Sequence, residues 1–276
     1  MSIVPRLTLN NGVQIPQLGF GVWQVPNDDA VAAVKTAIEV GYRSIDTAAI
    51  YGNEEGTGKA IAESGVPREE LFVTTKLWNS AQGYDSTLRA FEESMRKLRL
   101  SYLDLYLIHW PAAGQDRYVD TWRAFEKLYA DERIRAIGVS NFQAPHLQRL
   151  FDDTGTVPTV NQIELHPYLV QADMREFDAK FDIRTEAWSP LAQGGTVLTD
   201  PVITRLAERY GRTPAQVILR WHLQLGNIVI PKSVTPARIA ENIAVFDFAL
   251  EPDDVAAITE LDRGERTGPD PDVFGA

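Results

Sequence analysis

A chain of 276 residues, 44% hydrophobic and 24% charged, has room for two small domains or for one α/β barrel of about 250 residues, and its balance disfavours disordered, collagen-like and membrane classes. A net charge of −11 repels nucleic acid and anionic lipid, so any small anion bound here needs its own group of cations. The absence of cysteine removes disulfides, thiolate catalysis and cysteine-ligated metal together.

In chain order, "MSIVPRLTLNNG" shows no basic segment followed by an apolar one, and no apolar run reaches about 18 residues. A cytoplasmic protein is expected. Leu7, Leu9, Val13 and Ile15 flank Asn11-Gly12, predicting a β-hairpin whose two turn positions both take positive φ. Eight apolar runs rich in β-branched residues follow: "QLGFGVW", "YRSID", "LFVTTKLW", "LDLYLIHW", "RAIGVSNF", "TVNQIEL", "IRTEAWS" and "NIVIPKS". Stretches of helical period lie between them, among them 29–40, 87–98, 119–130, 202–210 and 214–225. In the first, Ala30, Val34, Ala37 and Ile38 form one apolar stripe. Thr213-Pro214 and Thr235-Pro236 have the pattern of a capping residue followed by a first-turn proline. Eight strands alternating with helices, at roughly 34 residues per unit, imply an α/β protein with parallel strands closed into a (β/α)8 TIM barrel. The hairpin would close the barrel bottom, and residues 1–276 would form one domain. An open doubly wound sheet is the competing fold, but "GFGVWQ" lacks the third glycine of its phosphate fingerprint. The last residues, "RGERTGPDPDVFGA", read as a loop-like tail folding over the body or away from it.

Several motifs mislead. "NEEGTGKA" has Asn53 and Ala60 where a P-loop needs glycine and a hydroxyl residue. Histidines 109, 146, 166 and 222 have neither ligand spacing nor thiolate neighbours, so no metal site is expected. His222 is expected to pack inside a helix, and His146 to stand exposed at a helix start. No G-x-S-x-G elbow offers an acyl-transfer nucleophile.

The polar residues at the strand ends are more informative. Asp46, Lys76, His109, Ser140-Asn141, Gln162, Trp188-Ser189 and Lys232-Ser233 fall at or near successive C-terminal ends, the face that carries the active site in this fold. A carboxylate beside Lys76 would keep its amine charged. A nearby ammonium would in turn favour ionisation of Tyr51, and bringing a phenol from pKa ~10 to neutrality takes roughly 4 kcal/mol. Tyr51 would then exchange protons near neutral pH, with His109 hydrogen-bonding the same carbonyl oxygen as hydride reaches its carbon. A hydride source has a place to bind. Lys232, Ser233, a helix start and Arg238 suit a terminal phosphate. Ser140, Asn141 and Gln162 can hold a carboxamide, and Trp188 offers a face for stacking.

Over nearly its whole length the chain resembles the aldo-keto reductase superfamily, most closely the bacterial branch that includes 2,5-diketo-D-gluconate reductases. "GYRSIDTAAIYGNEEGTG", "RIRAIGVSNF" and "IPKSVTPARIAEN" carry the likeness, and "TTKLWN", "LIHWP", "VNQIELHP" and "LRWHLQ" extend it. The resemblance implies a barrel that binds NADPH in extended form, and a catalytic tetrad at Asp46, Tyr51, Lys76 and His109 with Tyr51 as proton donor. It implies nicotinamide contacts at Ser140, Asn141, Gln162 and Trp188, and a loop over the pyrophosphate at Ser189, Leu191 and Gln193. The adenosine 2′-phosphate segment would be Ile230, Lys232, Ser233, Val234, Thr235, Arg238, Glu241 and Asn242. Trp23, Trp78 and Trp110 would line the substrate pocket. Trp188 stands where many members have tyrosine, Val22 where threonine is common and Thr57 where an aliphatic residue is usual. The loop after His109 and the tail look short, which would leave the pocket open.

The resulting expectation is an NADPH-dependent, monomeric reductase of aldehydes and ketones, acting on small dicarbonyls or keto-sugar acids. Its rivals are an NADPH-binding protein with incidental turnover and a barrel aldolase using Lys76 as a Schiff-base nucleophile.

Overall fold

The computed structural model describes residues 4–275. It opens with β1 (Arg6–Thr8) and β2 (Gln14–Pro16), antiparallel, with Leu7 opposite Ile15. The expected hairpin is present, but its turn is of another kind. Gly12 takes φ 85°, while Asn11 is not among the residues of positive φ. The Gly12 amide donates to the Leu9 carbonyl, giving a three-residue loop that ends on one left-handed glycine. One positive φ suffices there, not two.

Eight strands alternating with helices follow. They begin β3 (Phe20–Gly21), α1 (Asn27–Glu39), β4 (Ser44–Asp46), α2 (Glu54–Glu63), β5 (Phe72–Leu77), α3 (Tyr84–Leu98), β6 (Leu103–Ile108) and α4 (Tyr118–Ala130). The second half runs β7 (Ile134–Ser140), α5 (Ala144–Asp153), β8 (Val160–Glu164), α6 (Ala172–Lys180), β9 (Arg184–Trp188), α7 (Pro201–Tyr210), α8 (Pro214–Gln224) and β10 (Ile228–Val229). Two further helices close it, α9 (Pro236–Ile243) and α10 (Pro252–Thr259). Strands β3 to β10 pair in sequence order, all parallel. A parallel bridge between Leu18 and Val229 closes the ring, and the Gly19 and Gly21 amides donate to the Val229 and Pro231 carbonyls. The fold is the predicted (β/α)8 barrel.

The glycines of "QLGFGVW" belong to this seam. A Cβ on Gly19 would stand 3.0 Å from Ser44 Oγ, and one on Gly21 3.3 Å from the Ile230 carbonyl. The false P-loop has a similar explanation. Gly56 faces the Asn27 carbonyl and Gly58 the Leu98 carbonyl, both too close for any side chain, so α2 can touch the start of α1 and the end of α3.

Side chains alternate along each strand, so every second residue points into the barrel. At the bottom these residues are apolar: Leu9 and Ile15 from the hairpin pack with Phe72, Leu105, Leu107, Ala136, Val160 and Ile228. Each of these side chains except that of Ala136 contributes about 1.5–3 kcal/mol. Nearer the C-terminal ends the inward residues turn polar, with Lys76, Gln162 and Glu186 all buried. A larger apolar cluster fills the layer between strands and helices.

Thr213 caps α8 as expected, its Oγ1 accepting from the Gln216 amide while the Gln216 side chain returns to Thr213. Thr235 makes no side-chain cap on α9; its amide donates to Ser233 Oγ instead. His222 is buried as expected, its ring edge-on to Trp221, and burial takes its pKa down to about 3. His146 departs from its expected exposure. It is half-buried, and its Nδ1 accepts from the Gln143 amide at the start of α5.

Candidate active site

Asp46 ends β4, Lys76 is the penultimate residue of β5 and His109 follows β6. Tyr51 rides on a 3₁₀ turn, Ala49–Tyr51, ended by Gly52 at φ 69°. Lys76 is completely buried, and its three donors find three acceptors. They reach Asp46 Oδ1 at 2.5 Å, the Thr47 carbonyl at 3.0 Å and the Tyr51 hydroxyl at 3.4 Å. Burial opposes the charge on Lys76, but the Asp46 carboxylate outweighs it and the amine's pKa is raised. The amine therefore stays an ammonium, which disfavours the Schiff-base reading.

For Tyr51 the expected direction is overturned. Burial raises the phenol's pKa by more than Lys76 lowers it, and the Asp46 charge adds to the rise. The field of Lys76 is real, yet it acts on a phenol that desolvation has already made a weaker acid. Tyr51 thus rests fully protonated at neutral pH. His109 stands edge-on to Tyr51 and to Trp78, with ring centroids 5.6 and 5.3 Å apart. Burial, then the charge of Lys76, pushes its pKa well below the usual value, so the imidazole is neutral. Its buried Nδ1 has no partner among the described residues; the ring proton belongs on Nε2.

The tetrad side chains apart from Lys76 open onto a cleft of about 1080 Å³. Ser140, Asn141, Gln162, Trp188, Ser189, Leu191, Gln193, Ile230, Lys232, Ser233, Val234, Thr235, Arg238, Glu241 and Asn242 line it, as do Trp23, Trp78 and Trp110. Lys76 lies behind the lining. The carboxamide-binding candidates form a fixed network. Ser140 Oγ donates to the Gln162 carbonyl, Asn141 Nδ2 to Ser140 Oγ and the His109 carbonyl, and Trp188 Nε1 to Asn141 Oδ1. Asn141 (φ 64°), Ser189 (φ 47°) and Gln193 (φ 57°) are left-handed without being glycine. At the far end, Lys232 and Arg238 are exposed and form no ion pair or hydrogen bond among the described residues. Glu241 accepts from Thr213 Oγ1 at 2.7 Å, tying the segment to α8.

Three positions that bear on the shape of the site, Glu186, Glu164 and Phe274, went unread in the sequence. Glu186 is fully buried behind the tetrad and accepts from Gln162 Nε2. Glu164 ties down the tail: its carboxylate accepts from the Thr267 amide and hydroxyl at 2.6 and 2.5 Å and from the Gly268 amide at 3.1 Å. Gly268 lies directly on the Trp188 indole, and Gln193 Nε2 donates to Thr267 Oγ1 at 3.2 Å. Phe274 then packs over Trp110 and Trp78, with centroids 4.5 and 6.3 Å away. The tail therefore covers part of the aromatic end, in place of the open pocket expected. A phenylalanine at position 274, after a Pro/Gly-rich stretch, was the available signal. Among the described residues, no group of three or more His, Asp or Glu is placed to hold a metal ion, and no helix is long and apolar enough to cross a membrane.

Residues 17–263 match the aldo/keto reductase family. An aldo-keto reductase of Mycolicibacterium smegmatis is 60% identical over 270 residues, 98% of each chain. Methylglyoxal reductase DkgA of Yersinia pestis is 56% identical over 277 residues, covering 100% of this chain and 99% of its own. Among solved structures, a single-residue mutant of Gox0644 in complex with NADPH superposes with a TM-score of 0.94 at 52% identity, covering 99% of both chains. Near-complete relatives and a shared barrel converge on one conclusion: this chain belongs to the aldo/keto reductase family.

Proposed function

We propose that this chain reduces small aldehydes and ketones to alcohols with NADPH, Tyr51 donating the proton. The observation that carries this reading is the Asp46–Lys76–Tyr51 chain of contacts ending beside His109 at the cleft floor. The residues present fit the cofactor. Lys232 and Arg238 are exposed cations in a strongly acidic protein, with Ser233 between them and the start of α9 beside them, and suit a 2′-phosphate. Ile230, Val234, Thr235, Glu241 and Asn242 would flank the adenosine, and Ser189, Leu191 and Gln193 would cross the pyrophosphate. Trp188 is held by Asn141 with a face toward the cleft, and Ser140, Asn141 and Gln162 would fix a carboxamide. When bound, the cofactor supplies the hydride.

The protein's own residues manage the oxygen. His109 Nε2 and the Tyr51 hydroxyl would both donate to the substrate carbonyl, polarising it. As the carbonyl oxygen gains negative charge, Tyr51 passes it a proton. The ammonium of Lys76, 3.4 Å from the phenol oxygen, stabilises the tyrosinate left behind. Asp46 keeps Lys76 charged. Lys76 thus acts on the transition state and product rather than by ionising the phenol beforehand.

Among the described residues, the aromatic end of the cleft, walled by Trp23, Trp78, Trp110 and Phe274, is lined by no lysine or arginine; the two cationic side chains in the lining, Lys232 and Arg238, stand at the other end. This ranks neutral dicarbonyls such as methylglyoxal above keto-sugar acids. The reading extends, on the family resemblance, to one catalytic domain acting as a cytoplasmic monomer. Steady-state NADPH oxidation across a carbonyl panel tests it: turnover with methylglyoxal and aromatic aldehydes is expected, with keto acids slower. Folded, NADPH-binding protein that reduces no member of the panel would return the case to a binding protein.

A further inference from the structure

Behind the tetrad sits a carboxyl group that the mechanism above does not use. Glu186, in the middle of β9, is 1% exposed. Its hydrogen bond comes from Gln162 Nε2 at 2.8 Å, and the same nitrogen donates to Asp46 Oδ2 at 2.9 Å. An amide nitrogen has two hydrogens. Both are consumed by carboxyl groups, so Gln162 must present its Oε1, an acceptor, to whatever lies in the cleft it lines.

The charges around Glu186 do not balance it. Asp46 faces it from β4 and Lys76 from β5, but all three donors of Lys76 go to Asp46, Thr47 and Tyr51. From β8 it meets the neutral amide of Gln162, while Glu164, one inward position further up, is turned to the tail. Arg184, two residues back on β9, donates to the Thr8 carbonyl in the hairpin. On the other side β10 offers Ile228, its register partner. An ionised Glu186 would be a second buried anion with no ion-pair partner among the described residues, which is strongly disfavoured. Burial first, then the charge of Asp46, pushes its pKa up to about 8, with Gln162 and Lys76 pulling the other way.

We propose that Glu186 is a positioning residue of this reductase, a neutral carboxylic acid that orients the Gln162 amide toward the cofactor and, once ionised in alkaline solution, weakens Tyr51 as a proton donor. The second half follows from charge. A new anion beside Asp46 and Lys76 makes the surroundings of Tyr51 more negative, so tyrosinate forms less readily. The proposal rests on the reductase reading for its kinetic consequences but not for its protonation state, and the experiment separates the two.

Thermal unfolding of the parent and of Glu186→Gln from pH 5 to pH 9.5 reads the proton directly. A carboxyl whose folded pKa lies above its unfolded value of about 4.3 contributes stability below that value and loses it as pH rises through the folded pKa. The variant's Tm should therefore gain on the parent's steadily between about pH 5 and pH 8 and level off above. A constant Tm difference would overturn the neutral-acid assignment even if the protein were no reductase. In kinetics, the ratio of kcat/KM for carbonyl reduction, Glu186→Gln over parent, should rise several-fold between pH 7 and pH 9.5; a ratio independent of pH removes the link to Tyr51. Glu186→Ala, which frees the amide, should weaken NADPH binding several-fold, and Glu186→Gln, which keeps an acceptor, should restore most of it. Equal affinity in the parent and Glu186→Ala would overturn the orienting role.

Discussion

The two ends of the cleft are built on opposite plans. At the tetrad, Lys76 spends every donor inside the protein and is sealed from solvent before any ligand arrives. At α9, Lys232 and Arg238 lie in solvent with no partner among the described residues. Chemistry needs groups already fixed when charge develops, since reorganising them during the reaction would cost rate. Capture of a soluble anion needs the reverse, exposed cations that steer it in and close upon it. Substitutions in the first region should therefore change the rate and the stability of the fold, and those in the second should change cofactor affinity alone.

Lys76→Met should break this division most sharply. It leaves Asp46 as a buried charge without its cation, which costs about 3–5 kcal/mol. Urea denaturation should show that loss, accompanied by a fall in kcat; a variant as stable as the parent would mean the pair is not buried as described. Lys232→Ala or Arg238→Ala should each raise the KM for NADPH by about 10-fold or more, the worth of a hydrogen bond to a charged group, with NADH little affected. Equal loss with both cofactors would mean that neither cation holds the 2′-phosphate. Phe274→Ala should have the smallest effect: a change of a few-fold in the preference for aryl aldehydes over methylglyoxal, as an aromatic contact worth about 0.5–1.5 kcal/mol disappears, with kcat on methylglyoxal little altered. An unchanged preference would mean that the tail does not shape the pocket.

The same contrast explains what could be read from the sequence. The parallel strands showed themselves because strands buried on both faces are continuous apolar runs, and their polar ends pointed to Asp46, Lys76 and His109 without any coordinates. Lys232 and Arg238 were legible because cations are conspicuous in an acidic chain. Quantities that depend on depth of burial were not. The amino acids around Tyr51 name its charged neighbours but not the water removed from it, so the direction of its pKa came out reversed. Glu186 looked like any polar residue of "IRTEAWS", since nothing local says that its side chain is sealed behind Gln162. The crossing of the tail depends on Glu164 meeting Thr267, 103 positions away, a contact no local pattern announces. At the hairpin, Asn11-Gly12 correctly signalled a turn, but the choice of turn depended on Asn10 joining the loop.

In the proposed mechanism Tyr51, kept protonated by burial and relieved of its proton with help from Lys76, is the group on which the reduction turns. Single-turnover oxidation of bound NADPH by a saturating carbonyl, comparing parent with Tyr51→Phe, isolates its part. The rate should fall by about 10²–10⁴-fold, the contribution of a general acid, with the dissociation constant for NADPH unchanged. A Tyr51→Phe variant that oxidises NADPH as fast as the parent would refute the role given to the phenol.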